Sequence, residues 1–461
     1  MKRRTLSLIV AGAMAMSLTA CGGGSGTAQE TKGQPAGTQQ SAEESKAGTE
    51  APSGDKKLTV WIEKVFSDDA NTMMEERLKA FEKETGIAVQ YEMIGATDFV
   101  TKLNVAIEAG KDVPDVVSMD TTKVLNYYPN IPCADVSALV DEINGERPYF
   151  EASYEGTKIG DVHYYVPYYS SSCMMFVRKD VLEAKNIAIP TTWEEVFAAA
   201  EAVTDPANDF YGLGMGCGEN DDDDENTLRQ MIWNEGGALF DKDGKITCES
   251  DKVSSMISKY AELYQAEVIP PDATTWDAGG NNSSYLAGRT AIVFNAPTLY
   301  NALKNNDENK ELFEKTAVLA PPAGSANSVY MNFNRGFSIM NACQDQESAS
   351  ALIKYLVDRS WYDEYMGTIA PVFAPLFKDE EQNADWTGDA VNAEVLKYAQ
   401  NASGYYGYPV MDVKGRAVAA KHYFTFPVGK AFNQVATQTK PVQDALKDMT
   451  RAIEDFQDQV Q

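Results

Sequence analysis

FEKETGIAVQYEM, residues 81–93, decides the class of fold. Phe81 closes an apolar stripe begun by Met74 and Leu78, and Gly86 supplies a stop. From there Ile87, Val89, Tyr91 and Met93 alternate with Ala88, Gln90 and Glu92. A period of 3.6 giving way to a period of 2 across a glycine is a helix running into a strand. Working outward, KKLTVWIEK (56–64) reads as a strand before that helix. A second helical stretch (98–110) then leads to VPDVVSMD, a buried-type strand ending at Asp120. Strand–helix–strand–helix–strand predicts an α/β fold with a parallel sheet, and such sheets carry ligands beyond the carboxyl ends of their strands.

The second half keeps the same grammar without repeating the sequence. HYYVPYYSSSCMMFVRKD (163–180) reads as one strand-like aromatic stretch, and Thr192 and Glu195 are spaced as a capping box opening a helix. FDKDGKIT (240–247) reads as a hairpin around Asp243-Gly244. Helical spacing returns over 251–267, LAGRTAIVFNAP (286–297) reads as helix end, turn and strand, and a last helix carries Val442, Leu446, Met449, Ile453, Phe456 and Val460 on one stripe.

The N-terminus is of another kind. Lys2, Arg3 and Arg4 precede an apolar run from Leu6 to Leu18, too short for a membrane span of roughly 20 residues but suited to a secretory signal. Leu18-Thr19-Ala20-Cys21 resembles a bacterial lipobox, which makes 1–20 a lipoprotein signal peptide and Cys21 the lipidated first residue of the mature chain. Residues 22–54 contain no Val, Ile, Leu, Met or aromatic side chain, so 21–54 reads as a disordered tether. About 405 residues remain, enough for two lobes. The formal charge of −28 and the lack of a basic patch argue against nucleic acid. Beyond Cys21, the cysteines Cys133, Cys173, Cys217, Cys248 and Cys343 form no C-x-x-C, which leaves isolated buried thiols or a single disulfide open and indicates no metal site.

Several blocks, in this order, resemble the type-1 extracellular solute-binding proteins of bacterial ABC importers, the family that includes maltose-binding proteins. They are FEKETGIAVQYE, GKDVPDVVSMD, MMFVRKDVLEAKNIAIPTTWEEVFAAAEAVT, YLAGRTAIVFNAP and FNRGFSIMNACQDQESASALIKYLVD, and together they cover nearly all of 56–461. The resemblance implies a two-lobed periplasmic-binding-protein-like fold (type II) that closes about a hinge on a solute. The implied lobes are 55–165 with 291–340, and 166–290 with 341–461. It also implies no enzymatic step and no cofactor, a monomer, and permease subunits in the membrane as partners. With lipid on Cys21, the protein would sit on the extracellular face of the cytoplasmic membrane. The solute expected is a sugar, an oligosaccharide first. Two departures argue against maltose itself: Asn295-Ala296-Pro297-Thr298 lacks the tryptophan that follows N-G-P in the family, and Met119 stands where a maltose binder has an aromatic residue.

Sugar sites combine aromatic stacking with carboxylates, amides and arginine, so candidate ligand residues are sought at strand ends and crossings. Trp61 and Glu63 end the first strand, although Trp61 equally fits the core and Glu63 the surface. Asp120 ends the third strand and is also placed to cap a helix beginning at Thr121. Tyr168 and Tyr169 fall on the crossing segment, where one contact and one packing residue are expected. Trp276 stands in a loop, as a stacking platform or docked on a helix; Asn295 ends a strand, and Arg335 begins one as a fork of donors or a surface ion pair. Glu219 and Asp221 belong to GENDDDDENT (218–227), which the resemblance puts at the second lobe's rim; as a charge run it reads as solvated loop, and it lacks the EF-hand pattern. Such acids with aromatics also suit a cationic solute such as a polyamine. A ligand-sensing lipoprotein shares every one of these features. A surface glycoside hydrolase is the remaining alternative, requiring a carboxylate pair at a defined separation.

Overall fold

The computed structural model describes residues 56–218, 221–410 and 412–460. The opening unit falls as expected: β1 (Lys57–Glu63), α1 (Asp68–Thr85), β2 (Ala88–Ile94), α2 (Ala96–Ala109) and β3 (Val116–Asp120). Ser67 caps α1 by accepting from the Ala70 N–H, and Gly86 ends it at φ 75°, a conformation that favours glycine. Met74, Leu78 and Phe81 face the core.

Two sheets organise the chain. The first has the order β2, β1, β3, Asn334–Ile339, Val166–Ser170, with β1 parallel to both neighbours and the last two strands antiparallel. The second has the order Thr316–Leu319, Met174–Arg178, Thr290–Asn295, Tyr211–Gly214. The strand-like stretch 163–180 is therefore not one strand. It breaks at 171–173 and contributes one strand to each sheet, so the chain passes between lobes there. It returns between Leu319 and Asn334.

This pairing corrects the expected lobe boundaries. Val166–Ser170 lies in the first sheet because it pairs with Asn334–Ile339, and Thr290–Asn295 and Thr316–Leu319 lie in the second because both flank Met174–Arg178. Residues 346–369 also depart from expectation: the helices Gln346–Leu356 and Arg359–Ile369 pack on α1, and the first of them on Asn334–Ile339, in the first lobe. The closing helices Val413–Tyr423, Pro427–Ala436 and Val442–Gln459 pack with Leu228, Met231 and Ile257 in the other core. A third passage between lobes thus runs through about 402–410. Over 240–247 no strand pair forms, only a turn with one bridge from Phe240 to Ile246.

All five described cysteines are unpaired and buried. Both histidines are buried too, His163 with Nδ1 against the Thr157 hydroxyl at 3.1 Å. Burial first, then Lys158, pushes His163 down to about 4, and burial takes His422 well below its ordinary value. Depressed histidines add stability that is complete above the unfolded value near 6.5 and is lost as pH falls toward the folded one. The stability difference between wild type and His163→Gln, measured by urea unfolding, is expected to shrink between pH 7 and pH 4.5. A difference that stays constant over that range would contradict the burial account.

Candidate functional site

The carboxyl ends of β1 and β3 and the start of Asn334–Ile339 meet at one edge of the first sheet, with Arg335 in register with both Asp120 and Tyr169. A register shift at Arg335/Gly336 re-aims the arginine. Gly336 is required there, because a Cβ would stand 1.8 Å from the Val166 carbonyl oxygen.

Four charges interlock at this edge. Glu63, only 5% exposed, takes Arg335 Nη1 on Oε1 at 2.7 Å and Lys123 Nζ on Oε2 at 2.7 Å. Lys123 Nζ also reaches Asp120 Oδ2 at 2.8 Å. Asp120 Oδ1 accepts from the Lys123 N–H, capping the short helix α3 (Thr121–Asn126), so Asp120 serves both as strand-end acid and as cap. Burial works against the Asp120 charge, but Lys123 and then Arg335 outweigh it and hold the carboxyl below its usual range. Burial likewise opposes the Arg335 charge, and Glu63, Tyr169 and Asp120 more than compensate. Tyr169 packs on Phe373 at 4.5 Å, its hydroxyl lifted to about 12 by burial against the pull of Arg335. Tyr168 is the packing partner of the pair, fully buried among Phe337, Tyr362 and Tyr365. Glu63, Lys123, Tyr169 and Arg335 line a recess of about 390 Å³, counting space open to solvent.

From the third passage, Tyr406 lies within electrostatic reach of Asp120 and Arg335. Its ring stacks on Tyr423 at 3.7 Å between centroids and 20° between planes. Burial raises its hydroxyl most, Tyr423 holds it back, and the charges of Asp120 in one lobe and Asp222 in the other both act on it. Arg229 Nη1 donates to the Tyr406 carbonyl at 3.2 Å and its Nη2 pairs with Glu225 at 2.7 Å. Glu225 in turn accepts from the Gly429 N–H at 2.6 Å. Aromatic faces and fixed hydrogen-bonding charges are the two kinds of group that suit the apolar face and the hydroxyls of a polyol.

Other candidates lie elsewhere. Trp61 is half-buried beneath Lys102, whose Nζ sits 4.7 Å from the ring, and it does not line the recess. Asn295 is fully buried and donates to Asn281 Oδ1 at 2.8 Å, which ties the second sheet to a neighbouring helix. Trp276 donates to Asp272 Oδ2 at 3.2 Å and packs on the second lobe's core, the docked alternative. Asp221 is 1% exposed and caps the helix Asp222–Asn234 through the Asp224 N–H. Asp224 accepts from the Gly216 N–H, so the acidic run is not a solvated loop: Asp221, Asp224 and Glu225 are turned into the lobe and only Asp222 is fully open to solvent. Glu219 and Cys21 lie outside the described residues. Among the described residues no cluster of three or more His, Cys, Asp or Glu is placed to hold a metal, and no helix is long and apolar enough to cross a membrane.

Sequence reasoning passed over Lys123, Arg229, Tyr406 and Tyr423. A signal existed for two of them: Lys123 stands three residues after Asp120 on a predicted helix start, and GYYGYP (404–409) repeats the aromatic pair of VPYYS at another crossing.

Two α/β lobes joined by crossing segments, with charged strand ends gathered at one edge of the first sheet, are the architecture of a two-lobed solute-binding protein. The chain belongs to the bacterial extracellular solute-binding protein family, whose model matches residues 65–362. It is 24% identical over 412 residues to the diacetylchitobiose binding protein DasA of Streptomyces coelicolor, covering 85% of each chain. It is 24% identical over 217 residues to the putative ABC transporter periplasmic-binding protein YcjN of Escherichia coli, 45% of this chain and half of that one. The fold matches the GacH receptor of Streptomyces glaucescens, solved unliganded and with acarbose, at a TM-score of 0.70 and 16% identity, over 88% of this chain and 100% of that one.

Proposed function

We propose that this protein captures an oligosaccharide between its lobes and delivers it to an ABC permease, held at the outer face of the membrane by lipid on Cys21. One observation supports the reading: Glu63, Arg335, Lys123 and Asp120 interlock at the strand ends of the first lobe, and the charges of Asp120 and Arg229 both act on Tyr406, which stacks on Tyr423. Ligand touching both sides binds best when the lobes close, so it shifts the hinge equilibrium toward the closed form that a permease reads. The relative that binds diacetylchitobiose supports a short saccharide as the cargo. A polyamine is less well served, since three of the five consecutive acids are buried in the second lobe.

In a thermal-shift panel of oligosaccharides, monosaccharides, polyamines and amino acids, one saccharide class is expected to raise the melting midpoint of the purified protein. A ligand at 100 times its Kd adds about 2.7 kcal/mol, or about 3 °C for a chain of this size. A shift with polyamines alone would overturn the sugar assignment, and hydrolysis of a chromogenic glycoside would overturn the binder. For the anchor, metabolic labelling with an alkyne fatty acid is expected to mark the wild type and to be lost in Cys21→Ala; equal labelling of both would remove it.

A further inference from the structure

Arg416, on the helix Val413–Tyr423, is 7% exposed and has no carboxylate partner among the described residues. The other deeply buried arginines each face acids: Arg147 holds Asp363, Asp379 and Glu380, and Arg229 holds Glu225. At Arg416 only Nη1 is engaged, donating to the Lys158 carbonyl at 2.5 Å, with the guanidinium 4.3 Å from the Tyr405 ring. Nε and Nη2, the edge that takes a carboxylate with two parallel bonds, are buried and without an acceptor among the described residues. Asp412, one turn earlier, places Oδ1 on the Gly415 N–H at 2.8 Å instead. Burial lowers the pKa of Arg416 against a smaller opposing effect of the Tyr405 and Tyr165 phenols, both neutral at pH 7, yet a guanidinium stays cationic at neutral pH. A buried cation without a counter-charge is costly, and its natural complement is an anion.

Arg416 lines a recess open to solvent with Thr121 and Thr122 of α3, Asn332 of the second passage, and Tyr406 of the third. Asn332 is already committed, its Nδ2 to the Ala402 carbonyl at 2.9 Å and its Oδ1 to the Asn334 N–H at 2.9 Å, whereas Nε and Nη2 of Arg416 are uncommitted. Because Tyr406 also borders the saccharide cleft, the recess adjoins that cleft from the hinge side.

We propose that the Nε–Nη2 edge of Arg416 binds a carboxylate or a small inorganic oxyanion in this recess. Two sources share that chemistry. An acidic sugar reaching past Tyr406 would bring the carboxylate as part of the cargo, an arm that rests on the function proposed above. A free oxyanion would instead bridge α3 and the helix Val413–Tyr423 whatever the cargo is.

The test is a thermal-shift series on the whole protein at constant ionic strength in chloride. Its arms are glucuronate and galacturonate, glucose and galactose as their neutral counterparts, and inorganic phosphate and sulfate, each on wild type, Arg416→Gln and Arg416→Lys. The expected result is a saturable rise of about 2 °C or more with the uronates or with the inorganic anions, abolished in Arg416→Gln. Arg416→Lys keeps the charge without the fork and is expected to lose at least half of the rise; it carries the comparison should the glutamine variant not fold. Uronates alone mark the cargo as the source, and phosphate or sulfate marks a free anion. No rise with any anion, or a rise unchanged in both variants, overturns the site. A neutral-sugar response that persists in the variants keeps that failure distinct from failure of the saccharide reading.

Discussion

Replacing Glu63 with alanine is expected to weaken saccharide binding about 100-fold, the largest loss at any position in the cleft. Glu63 is the hub of the charged floor, with one oxygen on Arg335 and the other on Lys123. Without it Arg335, whose side chain is 37% exposed, is free to swing, and Lys123 keeps only Asp120. Truncating one member of a buried hydrogen-bonded charge pair costs about 2–5 kcal/mol, and a 100-fold loss is about 2.7 kcal/mol. Titration calorimetry reads the effect, and Glu63→Gln, which keeps an acceptor for one cation, should recover part of it. Affinity within threefold of wild type in the alanine variant would place the ligand elsewhere.

Arg147→Ala is expected to destabilise the fold by about 3–5 kcal/mol without touching the cleft. Arg147 Nη2 bridges Asp363 and Glu380 at 2.7 Å each, and Nε holds Asp379 at 2.9 Å. The guanidinium lies 4.4 Å from the Phe377 ring and 5.1 Å from that of Tyr362. Removing it leaves Asp363, Asp379 and Glu380 without their shared cation, and Glu380 is 1% exposed and already lifted to about 7, chiefly by burial. A carboxyl raised in the folded state favours folding at low pH, and that contribution is lost as pH rises from the unfolded value near 4.5 through the folded one. The penalty of the variant in urea unfolding should therefore be smaller at pH 5 than at pH 8. An equal penalty at both would mean that lost packing, not stranded charge, is the cause.

The sequence made the first sheet readable because Gly86 separates two clear periods and each strand end carries a distinctive residue. Glu63 and Asp120 stand out in the sequence because they end parallel strands, Tyr169 because it lies on the crossing segment and Arg335 because it begins a strand, and the pairing brings all four to one edge of the first sheet. The division of 163–180 was not readable. Both halves alternate alike, and Ser171-Ser172-Cys173 carry neither glycine nor proline; the break is set by pairing with Asn334–Ile339 and Thr290–Asn295, far along the chain. Asn295 shows the matching limit, since a strand end does not say which way a side chain turns, and Asn281 draws this one inward. The acidic run misled because its charges look solvated, whereas Asp221 caps a helix and Asp224 and Glu225 accept from the backbone of other segments. Tyr406 comes from an aromatic turn with no period to read, and Tyr423 from the end of the helix Val413–Tyr423, whose weak apolar stripe gives no sign of the stack.

The central claim is that a saccharide is held between the strand-end charges and the Tyr406 stack. Calorimetric titration of the saccharide selected by the thermal panel into wild type, Asp120→Ala and Arg335→Ala tests it most directly. The account predicts one site per chain and more than tenfold weaker binding in each variant, with both variants folded by circular dichroism. Unchanged affinity in both would contradict it, as would a wild type that takes a polyamine and no saccharide.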